Sequence, residues 1–152
     1  MSYVFRTVLN PSHRKDLFVR LKRLDPTQRP LWGRMTAPSM LVHLCDQMRM
    51  PFNDSPSGPI PGVPQNRILK LLVLHFIPWP RAVIQGPPEA FHSSPGNWSD
   101  DIAILEDLVE QFVNAPPEQH WSHHPNWGPL SRRQWGVFCY RHFDHHLRQF
   151  GV

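Results

Sequence analysis

The chain has 152 residues, of which 40% are hydrophobic and 18% charged. That composition excludes a disordered chain, and the length fits one domain, 1–152, with a core of useful size. A net charge of +4 at pH 7 leaves a nucleic-acid partner open, whereas only two cysteines, Cys45 and Cys139, exclude a disulfide framework.

Proline punctuates the chain: 18 residues, about twice the usual share. Five stretches between the proline clusters carry helical spacing. The first spans about 11–24, with Asn10 or Ser12 as cap, Pro11 in the first turn and an apolar stripe of Leu17, Leu21 and Leu24. Arg14, Lys15, Arg20, Lys22 and Arg23 interleave with that stripe. They read as a solvated face rather than a nucleic-acid surface, because no recognition motif accompanies them.

The second helix spans about 37–50. Thr36 caps it, Pro38 falls in its first turn, and Met40, His43, Gln47 and Met50 share a face. Residues 51–64, PFNDSPSGPIPGVP, read as loop. A shorter helix over about 65–77 is apolar nearly all round and ends at IPWP. It suits packing on the side of a bundle, a dimer contact or a membrane surface. The run ILKLLVLHFIPW is too short to span a bilayer and contains Lys70 and His75. With MSYVFRTVLNPSHRK lacking the core of a signal peptide, a cytoplasmic location is expected.

After a loop over 78–97, a helix over about 99–114 takes Ser99 as cap and Ile102, Leu105, Val109 and Phe112 as stripe. APPEQHWSHHPNWGPL is again loop. The last helix, about 131–150, opens with a capping box from Ser131 to Gln134. No alternating strand pattern stands out. The fold class expected is all-α: a four-helix up-down bundle with an extra short helix and long proline-rich loops.

The last helix carries RHFDHHLRQF. At about 100° per residue, His142 and His146 lie one turn apart on one face, a spacing that lets two imidazoles reach one cation. Two ligands hold a metal weakly, so a third must come from another helix. His43, mid-stripe on the second helix, is the best candidate. His145 competes with His146 but points about 100° away from it. Asp144 points away from His142 and reads as a surface partner. Asp46, Gln47 and Gln149 are candidates to orient an imidazole through its second nitrogen. Cys139 reads as an inert buried thiol and Cys45 as packing. His120, His123 and His124 fit either a second metal site or a loop packed on the mouth of the bundle, and the loop is favoured.

The segments TAPSMLVHL, HPNWGPLSRRQWG and HFDHHLRQFGV resemble the DinB/YfiT-like superfamily of metalloenzymes, most closely a bacterial subfamily ending in the same HxxHHLRQFG pattern. The resemblance covers the second helix and the last thirty residues or so well, and 51–95 poorly. Trp127 stands where the family pattern expects phenylalanine. The resemblance implies a four-helix bundle with a divalent metal on His43, His142 and His146, and His145 occupying the neighbouring position of the HH pair. It also implies thiol-dependent transfer as one activity.

Zn²⁺ or Ni²⁺ are the expected ions, though imidazole suits Zn, Ni, Cu and Fe about equally and does not itself name the metal. The expected partner is a small-molecule substrate, including a low-molecular-weight thiol, with transfer or hydrolysis as the reaction. No catalytic base is assigned. The rival expectation is a metal-stabilised or metal-free bundle acting as a binding or dimerisation module through the helix over 65–77.

Overall fold

The computed structural model describes residues 5–52, 66–79 and 92–152. Five α-helices account for most of them: α1 (Pro11–Leu21), α2 (Ala37–Arg49), α3 (Arg67–His75), α4 (Trp98–Val113) and α5 (Arg132–Gln149). The class is all-α. A 3₁₀ turn (Met50–Phe52) extends α2, and β1 (His123–His124) pairs antiparallel with β2 (Gly128–Pro129). That small hairpin is the one departure from the loop expected over 115–130. The loops expected at 51–64 and 78–97 fall mostly outside the described residues.

The helix starts follow local chemistry. Asn10 caps α1 by accepting from Ser12 N–H and His13 N–H, and Thr36 caps α2 by accepting from Ser39 N–H. Asn97, not Ser99, caps α4: its side chain accepts from the Ser99 N–H, which puts Ser99 inside the first turn. The capping box on α5 is present in both directions. Ser131 Oγ accepts from Gln134 N–H at 3.2 Å, and Gln134 Oε1 accepts from Ser131 N–H at 3.0 Å. Ser131→Ala is expected to cost about 1 kcal/mol in urea unfolding, with no change in the slope against denaturant.

Packing places α2 at the centre. It lies against α4 and α5, while α1 and α3 pack on α5. Every α2 side chain from Met40 to Met48 is buried, so the single-faced stripe expected there understates how enclosed this helix is. Burial on all sides allows His43, Asp46 and Gln47 to sit in the interior only where each has a polar purpose. The core on the α5 side is built from Trp135, Phe143, Leu147 and Phe150, all fully buried. Phe18 of α1 meets Phe143 edge-on at 6.0 Å.

Three basic residues on or just after α1 have acidic partners on other helices. Arg20 pairs with Asp144 at 2.7 Å, Lys22 with Glu106 at 2.6 Å and Arg14 with Glu110 at 3.7 Å. This arrangement agrees with a solvated, ion-paired face. Asp144 also pairs with Arg148, as expected of a residue turned away from His142. Among the described residues, no helix is long and apolar enough to cross a membrane.

On α3 only Leu74 is fully buried. Ile68, Leu71, Leu72 and Phe76 remain exposed. Arg141 of α5 anchors the C-terminal end of this helix by donating to the carbonyls of Val73 and Ile77.

Candidate metal centre

His43 on α2 and His142 and His146 on α5 meet where the two helices pack. Their ring centroids stand 4.9, 4.9 and 4.8 Å apart, close to an equilateral triangle. The Nε2 atoms of His43 and His142 are 2.8 Å apart, and those of His142 and His146 are 3.0 Å apart. One ring nitrogen from each residue lies within 4.8 Å of the other two, so the three could hold a metal ion. Among the described residues no other group of three ligating side chains converges in this way.

The protons on these rings can be traced. Gln149, one turn beyond His145, donates its amide nitrogen to the Trp32 carbonyl at 2.9 Å. That leaves Gln149 Oε1 to accept from His146 Nδ1 at 2.8 Å. His146 therefore carries its proton on Nδ1 and turns the Nε2 lone pair toward His43 and His142. Gly33 makes room for this link. Its backbone sits at φ +78°, and a Cβ there would come within 2.9 Å of Gln149 Nε2.

His142 has no such support: its Nδ1 is buried without a partner. A neutral ring carries one N–H. Placed on Nδ1, that proton is an orphaned buried donor; placed on Nε2, it serves only one of two neighbouring nitrogens. With the proton on Nδ1, the lone pairs of His142 and His146 face one another across 3.0 Å, an arrangement that a shared cation relieves. Protonation is the costlier remedy. Burial, followed by the neighbouring imidazoles, pushes His142 well below its ordinary pKa. Burial and His43 together push His146 down to about 3. The donor set thus fits a borderline-soft divalent ion.

His145 is not brought into this cluster. Its ring lies 5.9 Å from Trp32 and 6.0 Å from Trp79, on the flank of α5 that faces away from His43. The 100° step between adjacent residues accounts for the separation. Asp46 does not orient His43 in the way its position one turn on allows. Its carboxylate accepts from Ser93 N–H, Ser93 Oγ and Arg49, and so ties the segment before α4 to α2. Gln47 donates to Cys139 Sγ at 3.8 Å. Burial pushes the Cys139 thiol up to about 12, which leaves it protonated and inert; Cys45 is likewise buried and raised to about 12.

The HWSHHP loop does not form a second cluster. His120 and His123 are exposed. His124 is buried under α5, 4.6 Å from Phe138 and 5.5 Å from Trp135, and its Nδ1 accepts from Asn126 N–H at 3.1 Å. Burial lowers its pKa to about 3.

Comparison with family models, with curated proteins and with solved structures found no match. The functional reading therefore rests on the geometry of the site and on the motifs already described.

Two site neighbours were not legible from spacing. Trp79 lies 5.4 Å from the His142 ring and 5.3 Å from Phe138, and so packs beside the site. Its signal was an aromatic held between two prolines in IPWP, which reads only as the end of a helix. Trp32, whose carbonyl fixes Gln149, carries no periodic signal at all.

Gln149→Leu is expected to lower metal affinity by about 10–100-fold while leaving the helices folded, since it removes the support of His146 and one hydrogen bond to the Trp32 carbonyl. His145→Ala is expected to leave affinity within about threefold, on the order of the additivity error for a side chain outside the cluster. Competition with a chelating dye measures both.

Proposed function

We propose that this chain is a metal-dependent enzyme in which His43, His142 and His146 hold a divalent cation, with Zn²⁺ or Ni²⁺ the expected ions. The observation that carries this reading is the convergence of three imidazoles from two helices, one of them with its second nitrogen orphaned. We further read α1, α2, α4 and α5 as a four-helix up-down bundle with α3 added to its side. That is the architecture of the DinB/YfiT-like superfamily, which the motifs around all three histidines resemble.

When bound, such an ion supplies a Lewis acid that lowers the pKa of a coordinated water or thiol toward neutrality. The protein's own part is to present three lone pairs and exclude bulk water. Gln149 fixes the tautomer of His146. Trp79 and Phe138 pack against His142 and limit solvent at the ring. Three protein ligands leave coordination positions for a reactant, the pattern of catalytic rather than structural sites. The substrate class is a small molecule, with a low-molecular-weight thiol as the co-substrate suggested by the resemblance and transfer or hydrolysis as the reaction.

A second reading, a binding or dimerisation module, is favoured by one observation: Ile68 on α3 and Phe76 at its C-cap are 68% and 62% exposed. It predicts a concentration-dependent dimer that does not respond to metal.

Elemental analysis of untagged protein tests the first reading. Near-stoichiometric divalent metal is expected in the wild type, with large loss in His43→Ala, His142→Ala and His146→Ala. Equal metal in all four proteins would defeat it.

A further inference from the structure

Beside the histidine cluster lies a cleft of about 400 Å³, within the size range of small-ligand sites. Its walls include Leu31, Trp32, Trp79, Arg141, His145 and Arg148. Two indoles and an imidazole in so small a space favour a flat guest, because aromatic faces stack or meet edge-on at low conformational cost. His145 stands about 6 Å from each indole, so the three rings frame one opening.

The charges of the cleft are unequal. Arg141 and Arg148 contribute two cations and Asp144 a single anion, which Arg20 already pairs at 2.7 Å. The guanidinium of Arg141 is committed to the carbonyls of Val73 and Ile77 and lies over the Trp79 ring at 5.7 Å. Arg148 differs. Its Nε approaches Asp144 at 2.9 Å and its side chain is 71% exposed. A guanidinium thus stands accessible at the wall of the cleft, and its planar fork is the group that grips a carboxylate in two-point fashion.

Both tryptophans are linked to the histidines, Trp79 through its ring and Trp32 through its backbone carbonyl. Trp79 packs on the His142 ring, and the Trp32 carbonyl holds the Gln149 amide that orients His146. A guest between the indoles would therefore sit next to the cluster.

We propose that this cleft binds flat aromatic carboxylates, with the ring between Trp32 and Trp79 and the carboxylate on the Arg148 fork. That such a molecule is the substrate rests on the metal-dependent function proposed above; that it binds does not.

Isothermal titration of the full chain with 2-naphthoate tests the proposal. Two comparison probes are 2-naphthylmethanol, flat but neutral, and cyclohexanecarboxylate, anionic but not flat. Saturable one-site binding of 2-naphthoate is expected, with both other probes weaker by about tenfold, the worth of one lost charge-assisted or stacking contact. Arg148→Ala, a change at an exposed side chain, is expected to weaken 2-naphthoate by about tenfold and leave 2-naphthylmethanol unchanged. Trp32→Leu should weaken both flat probes. No saturable binding up to millimolar concentration, or an unchanged 2-naphthoate affinity in Arg148→Ala, would overturn the proposal. Metal content measured on the same samples separates the two ideas. Naphthoate binding by a wild type that holds no metal keeps the cleft and sinks the metal function; metal without naphthoate binding does the reverse.

Discussion

Adding a strong chelator to the purified, metal-loaded protein is expected to lower its melting temperature by about 8–16 °C. His43 and His142 are 99 residues apart in sequence, so the unfolded chain scatters the ligands and only the folded state offers the site. A ligand held by the folded state alone stabilises it by about 4 kcal/mol at a thousandfold excess over Kd. In a domain of this size each kcal/mol moves the melting temperature by about 2–4 °C. His142→Ala removes the ring that touches both other nitrogens, and its melt is expected to be indifferent to chelator. If wild type and variant responded alike, the ion would be bound elsewhere. A small shift in a protein that nevertheless holds stoichiometric metal would mean that the unfolded chain binds the ion as well or that the chelator does not strip it.

The second large effect is acid destabilisation through His124. Its ordinary pKa of 6.5 describes the unfolded chain, and burial lowers it to about 3 in the folded one. Above about pH 6.5 both states hold the ring neutral, and stability does not depend on it. Between pH 6.5 and about 3 the unfolded chain binds a proton that the folded chain refuses, so stability falls as pH falls. The slope is about 1.4 kcal/mol per pH unit, and the full loss is on the order of 4–5 kcal/mol. That is a large fraction of the 5–15 kcal/mol typical of a domain. His124→Gln retains an acceptor for the Asn126 N–H and cannot titrate, so its stability profile should be flatter by one proton's worth. Urea unfolding at several pH values between 7.5 and 4, with chelator present to remove proton competition at the metal centre, provides the comparison. Parallel profiles would mean that the folded protein opens locally to protonate this ring at little cost.

Residue spacing carried much of the helical layout, because each helix announces itself locally. The Ser131–Gln134 capping box, the Thr36 cap and the Leu17–Leu21–Leu24 stripe are short-range patterns that packing did not override. Ser99 misled because Asn97 offers the better acceptor two residues earlier, a choice that spacing leaves open. The pairing of His142 with His146 was likewise local. That His43 completes the group came from its position in an apolar stripe together with the family resemblance, and the structure brings it into contact. What spacing could not show was how long-range contacts allocate polar groups. Asp46, one turn from His43, turns to Ser93, whereas Gln149 recruits a carbonyl 117 residues away to orient its amide. Trp32 and Trp79 enter the site from segments without periodicity, where no pattern marks which face a side chain takes.

The amide that supports His146 has an electrostatic corollary. Metal sites often back an imidazole with a carboxylate, which lends the ion part of its negative charge through the ring. Gln149 brings none, and no acidic side chain among the described residues acts on His142 or His146. A doubly charged occupant would keep more of its charge than it would beside a carboxylate-backed His146, so the thermodynamic pull on an incoming anion would be stronger. Swapping in a carboxylate by Gln149→Glu should tighten retention of the ion and weaken that pull in the same stroke.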